Sequence, residues 1–261
     1  MNVRLFEQQD ISQTPRPISV LGLPVHLMDD YVGWLVSRLQ QKLGTQVVTL
    51  NAEMTMQADH NPALARIIAQ ADLVVPDGSG IVFYCWLQGI RLQRSPGIEL
   101  AESLLCRCAQ LDQPGSVFFY GGAPGVVDQV VREWQQRAPG LRIAGCQHGY
   151  LAAADQAEFK QTLKSLQPSI ILVGLGVPRQ EYWITENRSL CPNSIWIGVG
   201  GSLDIWAGTK SRAPAWLRNH HMEWVYRLYK EPWRWRRMLA LPQFAWRALL
   251  YRLTQRGSVI Q

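Results

Sequence analysis

The sequence predicts an α/β fold: a mostly parallel sheet with helices on both faces, followed by a short helical C-terminal appendage. Three observations predict it. Short apolar runs such as Val47–Leu50, Ser116–Tyr120, Ile170–Val173 and Ile195–Val199 have the length of buried strands. Segments with helical spacing separate them, and regular alternation of strand and helix calls for parallel pairing. From Ala213 the strand signals stop and the charge changes sign.

In chain order, residues 1–17 read as a flexible N-terminal arm, because Pro15 and Pro17 oppose regular structure. Ile18–Leu21 is a short strand and Gly22–Pro24 a turn. Apolar residues recur at helical spacing from Leu27 to Leu43, and Gly44 closes that helix. Val47–Leu50 is the next strand. Asn61-Pro62 supplies an N-cap and a first-turn proline for a helix reaching Ala71. Leu73–Val75 is a strand stopped by Pro76, and Ile81–Leu87 is helical. Arg91–Gly97 is a loop before a helix over Ile98–Gln110. Ser116–Tyr120 is a strand whose glycine turn leads into a helix to Arg137. Strands over Leu141–Ala144, Ile170–Val173 and Ile195–Val199 alternate with helices over Asp155–Leu166 and Pro178–Ser189. The body, residues 18–211, is thus a Rossmann-like α/β domain. Residues 212–261 read as short helices broken by Pro232 and Pro242.

A chain of 261 residues with 47% apolar and 18% charged residues buries a full core. No apolar run reaches the roughly 18–20 residues that span a bilayer, and Met1–Pro17 lacks the apolar stretch of a signal peptide. The expected location is the cytoplasm. Five cysteines without a C-x-x-C pair read as buried thiols in a reducing compartment. Residues 212–261 hold ten Arg or Lys against two acids, whereas residues 1–211 hold sixteen against eighteen. Five of the eleven tryptophans also lie in the appendage. Trp among Arg suits an interfacial membrane segment, a nucleic-acid surface or a protein–protein face.

The candidate chemistry centres on Asp77. A buried strand ending at Pro76-Asp77-Gly78 presents a carboxylate at its C-terminal tip, where open α/β sheets bind ligands. Thr49 and Asn51 form a polar pair at a second tip. Gly121-Gly122 begins a strand-to-helix turn of the kind whose N–H groups hold phosphate, although a tight turn alone also wants glycine. Gly174-Leu-Gly-Val-Pro-Arg179 lacks the third glycine of a dinucleotide fingerprint, which argues against an NAD site. Gln180 opens the following helix, and Gly200-Gly201 follows another strand. Neither Asp-x-Asp nor a His/Cys cluster of metal spacing occurs, so no metal ligand is assigned. No Gly-x-Ser-x-Gly elbow is present for a hydrolase. A transferase of activated groups would then balance its leaving diphosphate with Arg or Lys. A non-catalytic nucleotide-binding module remains the alternative.

Thr49-Leu-Asn51, Pro76-Asp-Gly78, Gly97-Ile-Glu99, Tyr120-Gly-Gly122, Gly149-Tyr150, Gly174-Leu-Gly176 with Pro178-Arg-Gln-Glu181, Gly198-Val-Gly-Gly201 and Arg212-Ala-Pro214 occur in one order. Together they resemble the WecG/TagA/CpsF family of bacterial glycosyltransferases, over about Val20 to Pro232. The resemblance implies an inverting, metal-independent transferase without cofactor. It would move a sugar, commonly N-acetylmannosamine from its UDP form, onto a polyprenyl-diphosphate-linked sugar such as GlcNAc at the inner membrane leaflet. UDP-glucose or UDP-glucuronate is the alternative donor within the family, for exopolysaccharide. The resemblance makes Asp77 the general base, with Thr49 and Asn51 shaping its pocket and Gln180 touching ligand. It places appendage arginines, here Arg212, Arg218 and Arg227, over the donor diphosphate and at the membrane surface. Glu99 stands where many members carry Asp and is taken as a sugar contact. Glycine-turn amides at Gly121, Gly122, Gly200 and Gly201 complete the expected site. The implied partners are thus a UDP-sugar, a lipid-linked acceptor and a membrane surface reached through the appendage, and no nucleic acid; homo-oligomerisation stays open.

Overall fold

The computed structural model describes residues 17–92, 94–113, 115–220 and 222–257. The arm expected over residues 1–17 therefore lies outside the described residues, apart from Pro17. The chain opens with a hairpin, β1 (Pro17–Val20) and β2 (Leu23–His26). Leu21 and Gly22 both have positive φ, at 48° and 88°, the backbone of a two-residue hairpin turn. The turn expected over Gly22–Pro24 thus sits one residue earlier, and Leu23-Pro24 belongs to a strand.

Six further strands form one sheet: β3 (Thr45–Leu50), β4 (Leu73–Pro76), β5 (Ser116–Gly121), β6 (Arg142–Gln147), β7 (Ile170–Gly174) and β8 (Ile195–Gly198). Their order is β4-β3-β8-β7-β5-β6, and every neighbouring pair is parallel. The two side-chain faces explain why the strands read as unbroken apolar runs. Val47, Val75, Phe119, Leu172 and Ile197 point into one layer, packed by α1 (Tyr31–Gln40), α5 (Gly97–Cys108), α6 (Val126–Arg137) and α9 (Ser202–Trp206). Val48, Leu50 and Val74 point the other way, beneath α2 (Ala52–Asp59), α3 (Pro62–Gln70) and α4 (Ser79–Leu87). Phe118, Tyr120, Val173 and Trp196 extend that second layer under α7 (Asp155–Leu166) and α8 (Arg179–Asn187).

The first helix begins at Tyr31, not Leu27, because Asp30 caps it by accepting the Gly33 N–H at 2.7 Å. The hairpin also protects the sheet edge. His26, buried and held neutral by desolvation, accepts the Val74 N–H of edge strand β4 at 2.9 Å.

The C-terminal part contains α10 (Ala215–Asn219), α11 (Glu223–Lys230), α12 (Trp235–Met238) and α13 (Ala240–Gly257). Pro232 does interrupt the chain, opening a single 3-10 turn. Pro242 does not: it lies in the first turn of the 18-residue α13, where its missing N–H has no helical acceptor to lose. This last helix is anchored to the body. Phe244 and Ala248 are buried against α2 and α4, Arg247 pairs with Asp59 of α2 at 2.6 Å, and Arg237 of the preceding α12 pairs with Glu53 of α2 at 2.6 Å.

Candidate active site

Asp77 follows β4 directly. Its N–H donates to Leu50 O at 2.8 Å, which continues the β3–β4 ladder by one step. Gly78, at φ 88°, then turns the chain into α4. The loop before α5 folds back over this tip, with the Ser95 N–H donating to Pro76 O at 3.2 Å. Gly97, the first residue of α5, donates its N–H to the Asp77 carboxylate. A side chain at Gly97 would meet Thr49 at 3.0–3.2 Å, so glycine lets the helix start reach the carboxylate. Burial pushes the Asp77 carboxyl up to about 6; Arg227, Arg94 and the Gly97 N–H pull it down, and Glu223 pushes it further up. A carboxylate of that affinity, ionised at neutral pH, is poised to accept a proton.

Around this tip the arginines are organised by two acids. Glu99, in the first turn of α5, holds Arg212 and, at 3.4 Å, Arg218. Glu223, in the first turn of α11, holds Arg94 at 3.2 Å and Arg227 at 2.6 Å. The Nε atoms of Arg212 and Arg218 are buried without a hydrogen-bond partner, so donors are left over. Burial works against the Glu223 charge, but Arg227, Arg94 and Arg212 overcome it and hold its carboxyl below the usual range. The structure thus brings Asp77, Thr49, Glu99, Arg212, Arg218 and Arg227 around one end of the sheet.

The remaining sequence candidates have more structural duties. Asn51 caps α2, its Oδ1 accepting the Met54 N–H at 2.9 Å. That capping helix was not expected, because only Asn51 announces it. Gln180 is buried; it accepts the Gly200 N–H at 3.0 Å and donates to Glu181 at 2.8 Å. The Gly200 amide is therefore already engaged, while Gly201 has open space where a side chain would start. Gly121 is required for packing, since an added Cβ would stand 2.4 Å from Gly174 O. The Gly122 carbonyl accepts the Gly149 N–H at 2.9 Å. Gly121 ends β5 and Gly122 follows it, four strands from β4 and roughly 19 Å away at about 4.8 Å per strand. They belong to the far end of the row of strand tips and not to the Asp77 cluster.

Sequence reasoning missed Arg94, Glu223 and Glu181. Arg94 had a signal, a cation in the loop immediately before a helix N-terminus. Glu223 had little: one of two acids in a basic appendage. Glu181 is buried with its Oε2 unpartnered, and burial pushes its carboxyl up to about 7 against the Gln180 amide and its own backbone N–H.

Among the described residues, no group of three or more His, Cys, Asp or Glu is placed to hold a metal ion. No described helix is long and apolar enough to cross a membrane.

Residues 18–258 match the profile of the glycosyl transferase WecG/TagA/CpsF family. The chain belongs to this family. A relative in Bacillus spizizenii is 36% identical over 231 residues, covering 88% of each chain. Others are in Bacillus subtilis, 33% identical over 208 residues (79% of this chain and 80% of the relative), and Staphylococcus aureus, 35% identical over 202 residues (77% and 78%). All three carry the name N-acetylglucosaminyldiphosphoundecaprenol N-acetyl-beta-D-mannosaminyltransferase. Membership makes the protein a glycosyltransferase.

Proposed function

We propose that this glycosyltransferase moves N-acetylmannosamine from its UDP ester onto a polyprenyl-diphosphate-linked N-acetylglucosamine, with inversion at the anomeric carbon. The observation that carries the reading is Asp77 at a strand tip, its carboxyl raised to about 6 by burial within electrostatic reach of Arg227 of the appendage and Arg94 of the loop. The names of the three relatives support the transferred sugar and the acceptor class.

Asp77 accepts the proton of the acceptor hydroxyl while that oxygen bonds to the anomeric carbon and the carbon–diphosphate bond breaks. Arg212, Arg218, Arg227 and Arg94 balance the charge that grows on departing UDP. Their guanidinium groups do this without a carboxylate-held metal. Thr49 and Asn51 shape the sugar pocket, Glu99 orients a hydroxyl or an arginine, and Gln180 fixes the Gly200-Gly201 turn. The nucleoside extends along the strand tips toward Gly121 and Gly122.

The appendage, residues 212–261, serves as the membrane-facing unit at the inner leaflet. This placement is supported by exposed Trp216, Trp224, Tyr229, Trp233, Trp235 and Trp246 among its arginines, with exposed Trp86 of α4 beside α13. The direct test is UDP release from a panel of UDP-sugars in EDTA, with and without a short-chain polyprenyl-diphosphate-GlcNAc acceptor. Acceptor-dependent release from UDP-N-acetylmannosamine is expected. Release from UDP-glucose or UDP-glucuronate instead would reassign the donor, and absence of release from every donor would reduce the protein to a nucleotide-binding module.

A further inference from the structure

Four arginines and two carboxylates form the roof of the Asp77 cluster, and the carboxylates divide the arginines between them. Glu99 takes Arg212 and Arg218, and Glu223 takes Arg94 and Arg227. Within the second, the Arg94–Glu223 bridge is the enclosed one, with side chains only 12% and 13% exposed, whereas Arg227 is half exposed. It also joins two elements far apart in the chain, the loop before α5 and helix α11 of the appendage. An acid in the first turn of a helix is ordinarily solvated or faces the helix's own N–H groups. Glu223 instead points two ways into guanidinium groups, with Arg212 also within electrostatic reach.

We propose that Glu223 is an internal stand-in for the donor diphosphate, a positioning residue that holds Arg94 and Arg227 over Asp77 until a diphosphate displaces it. This rests on the reading of the site as one for a nucleoside diphosphate ester. The carboxylate and the diphosphate present the same chemistry to a guanidinium group, an anionic oxygen pair matched by a planar fork of donors. With Glu223 in place, the appendage is drawn onto the body by the loop–α11 bridge and the arginines are preorganised. When a diphosphate takes the arginines, Glu223 loses both partners and its helix is freed to adjust around the bound donor. The arrangement reduces affinity for the donor and for product UDP alike, which favours product release.

The groups facing Asp77 are Arg227, Arg94, Glu223 and the Gly97 N–H, so a change at Glu223 is also readable at Asp77. The experiment compares the full-length wild type with Glu223→Gln and Glu223→Asp by titration calorimetry with UDP and with inorganic pyrophosphate, and by the pH dependence of kcat/KM. Glu223→Gln is expected to bind both anions about five- to tenfold more tightly, the scale of one partly buried ion pair. Its acidic limb should move down by about half a pH unit, because a negative charge beside Asp77 is gone. Glu223→Asp, which keeps the charge, should stay near wild type in both. A Glu223→Gln protein that melts lower but binds UDP no more tightly and keeps its acidic limb overturns the inference, leaving Glu223 a structural tie. If neither wild type nor variant binds UDP or pyrophosphate, the diphosphate reading of the site fails and the stand-in falls with it.

Discussion

Replacing Glu181 with Gln should make the protein more stable at alkaline pH and change it little in acid. Glu181 is 2% exposed, its Oε2 has no partner, and burial lifts its carboxyl from 4.5 to about 7. A folded-state affinity raised above the unfolded one means that the folded protein binds this proton more tightly. The contribution to stability is therefore complete below about pH 4.5, declines as pH rises, and is lost once pH passes about 7. At about 1.4 kcal/mol per pH unit, the loss across that window is roughly 3 kcal/mol. The variant keeps an oxygen to accept the 2.8 Å hydrogen bond from Gln180 and carries no charge to bury. Between pH 5 and pH 8 the variant should gain most of that roughly 3 kcal/mol on the wild type. For a chain of this size that is about 6–12 °C in Tm. The assay is thermal or urea unfolding of both proteins across the pH range. Parallel stability curves would refute the reasoning, since they would mean that Glu181 titrates alike in folded and unfolded chains.

Asp77→Asn should leave a folded protein whose kcat falls by about 100- to 10,000-fold, the usual contribution of a general base; a near-normal rate in the transfer assay rules Asp77 out. In the wild type, log kcat/KM should rise with pH and level off above about 6 as Asp77 ionises, and an acidic limb near 4 would contradict the environment described for it. Phe244→Ala removes a ring that is fully enclosed among α2, α4 and α13 and should cost about 3–5 kcal/mol in urea unfolding, with α13 becoming protease-sensitive; unchanged proteolysis would mean α13 is held elsewhere. Gly121→Ala combines a φ of 130° with a Cβ 2.4 Å from Gly174 O. It should yield a poorly soluble or strongly destabilised protein, and a normal melting curve would show that the β5 and β7 tips move apart easily.

Much of the body was legible because a parallel sheet covered on both faces leaves an unmistakable pattern, short runs such as Ile170–Val173 in which every side chain is buried. The unexpected elements are those with weak local signals. β2 contains Pro24 and is formed by its pairing with β1, and α2 has a mixed surface, announced only by its Asn51 cap. The appendage read as broken helices because Pro242 looks like a breaker until its place in a first turn is known. At the site, Asp77 was legible from its position after an apolar strand and before glycine. The pairing of Arg94 with Glu223 was not, because the two lie 129 residues apart in the chain.

By itself the sequence determined the α/β class, the body and its basic aromatic appendage, the family and the acidic strand tip, since each depends on composition or on residues close together in the chain. Only the tertiary structure decided that Gln180 serves the Gly200 turn, that Gly121 and Gly122 stand four strands from Asp77, and that α13 is rooted in the core by Phe244. It also decided which acid holds which arginine. Strand order and ion pairing depend on which distant segments the common core brings together, and local periodicity carries no record of that choice.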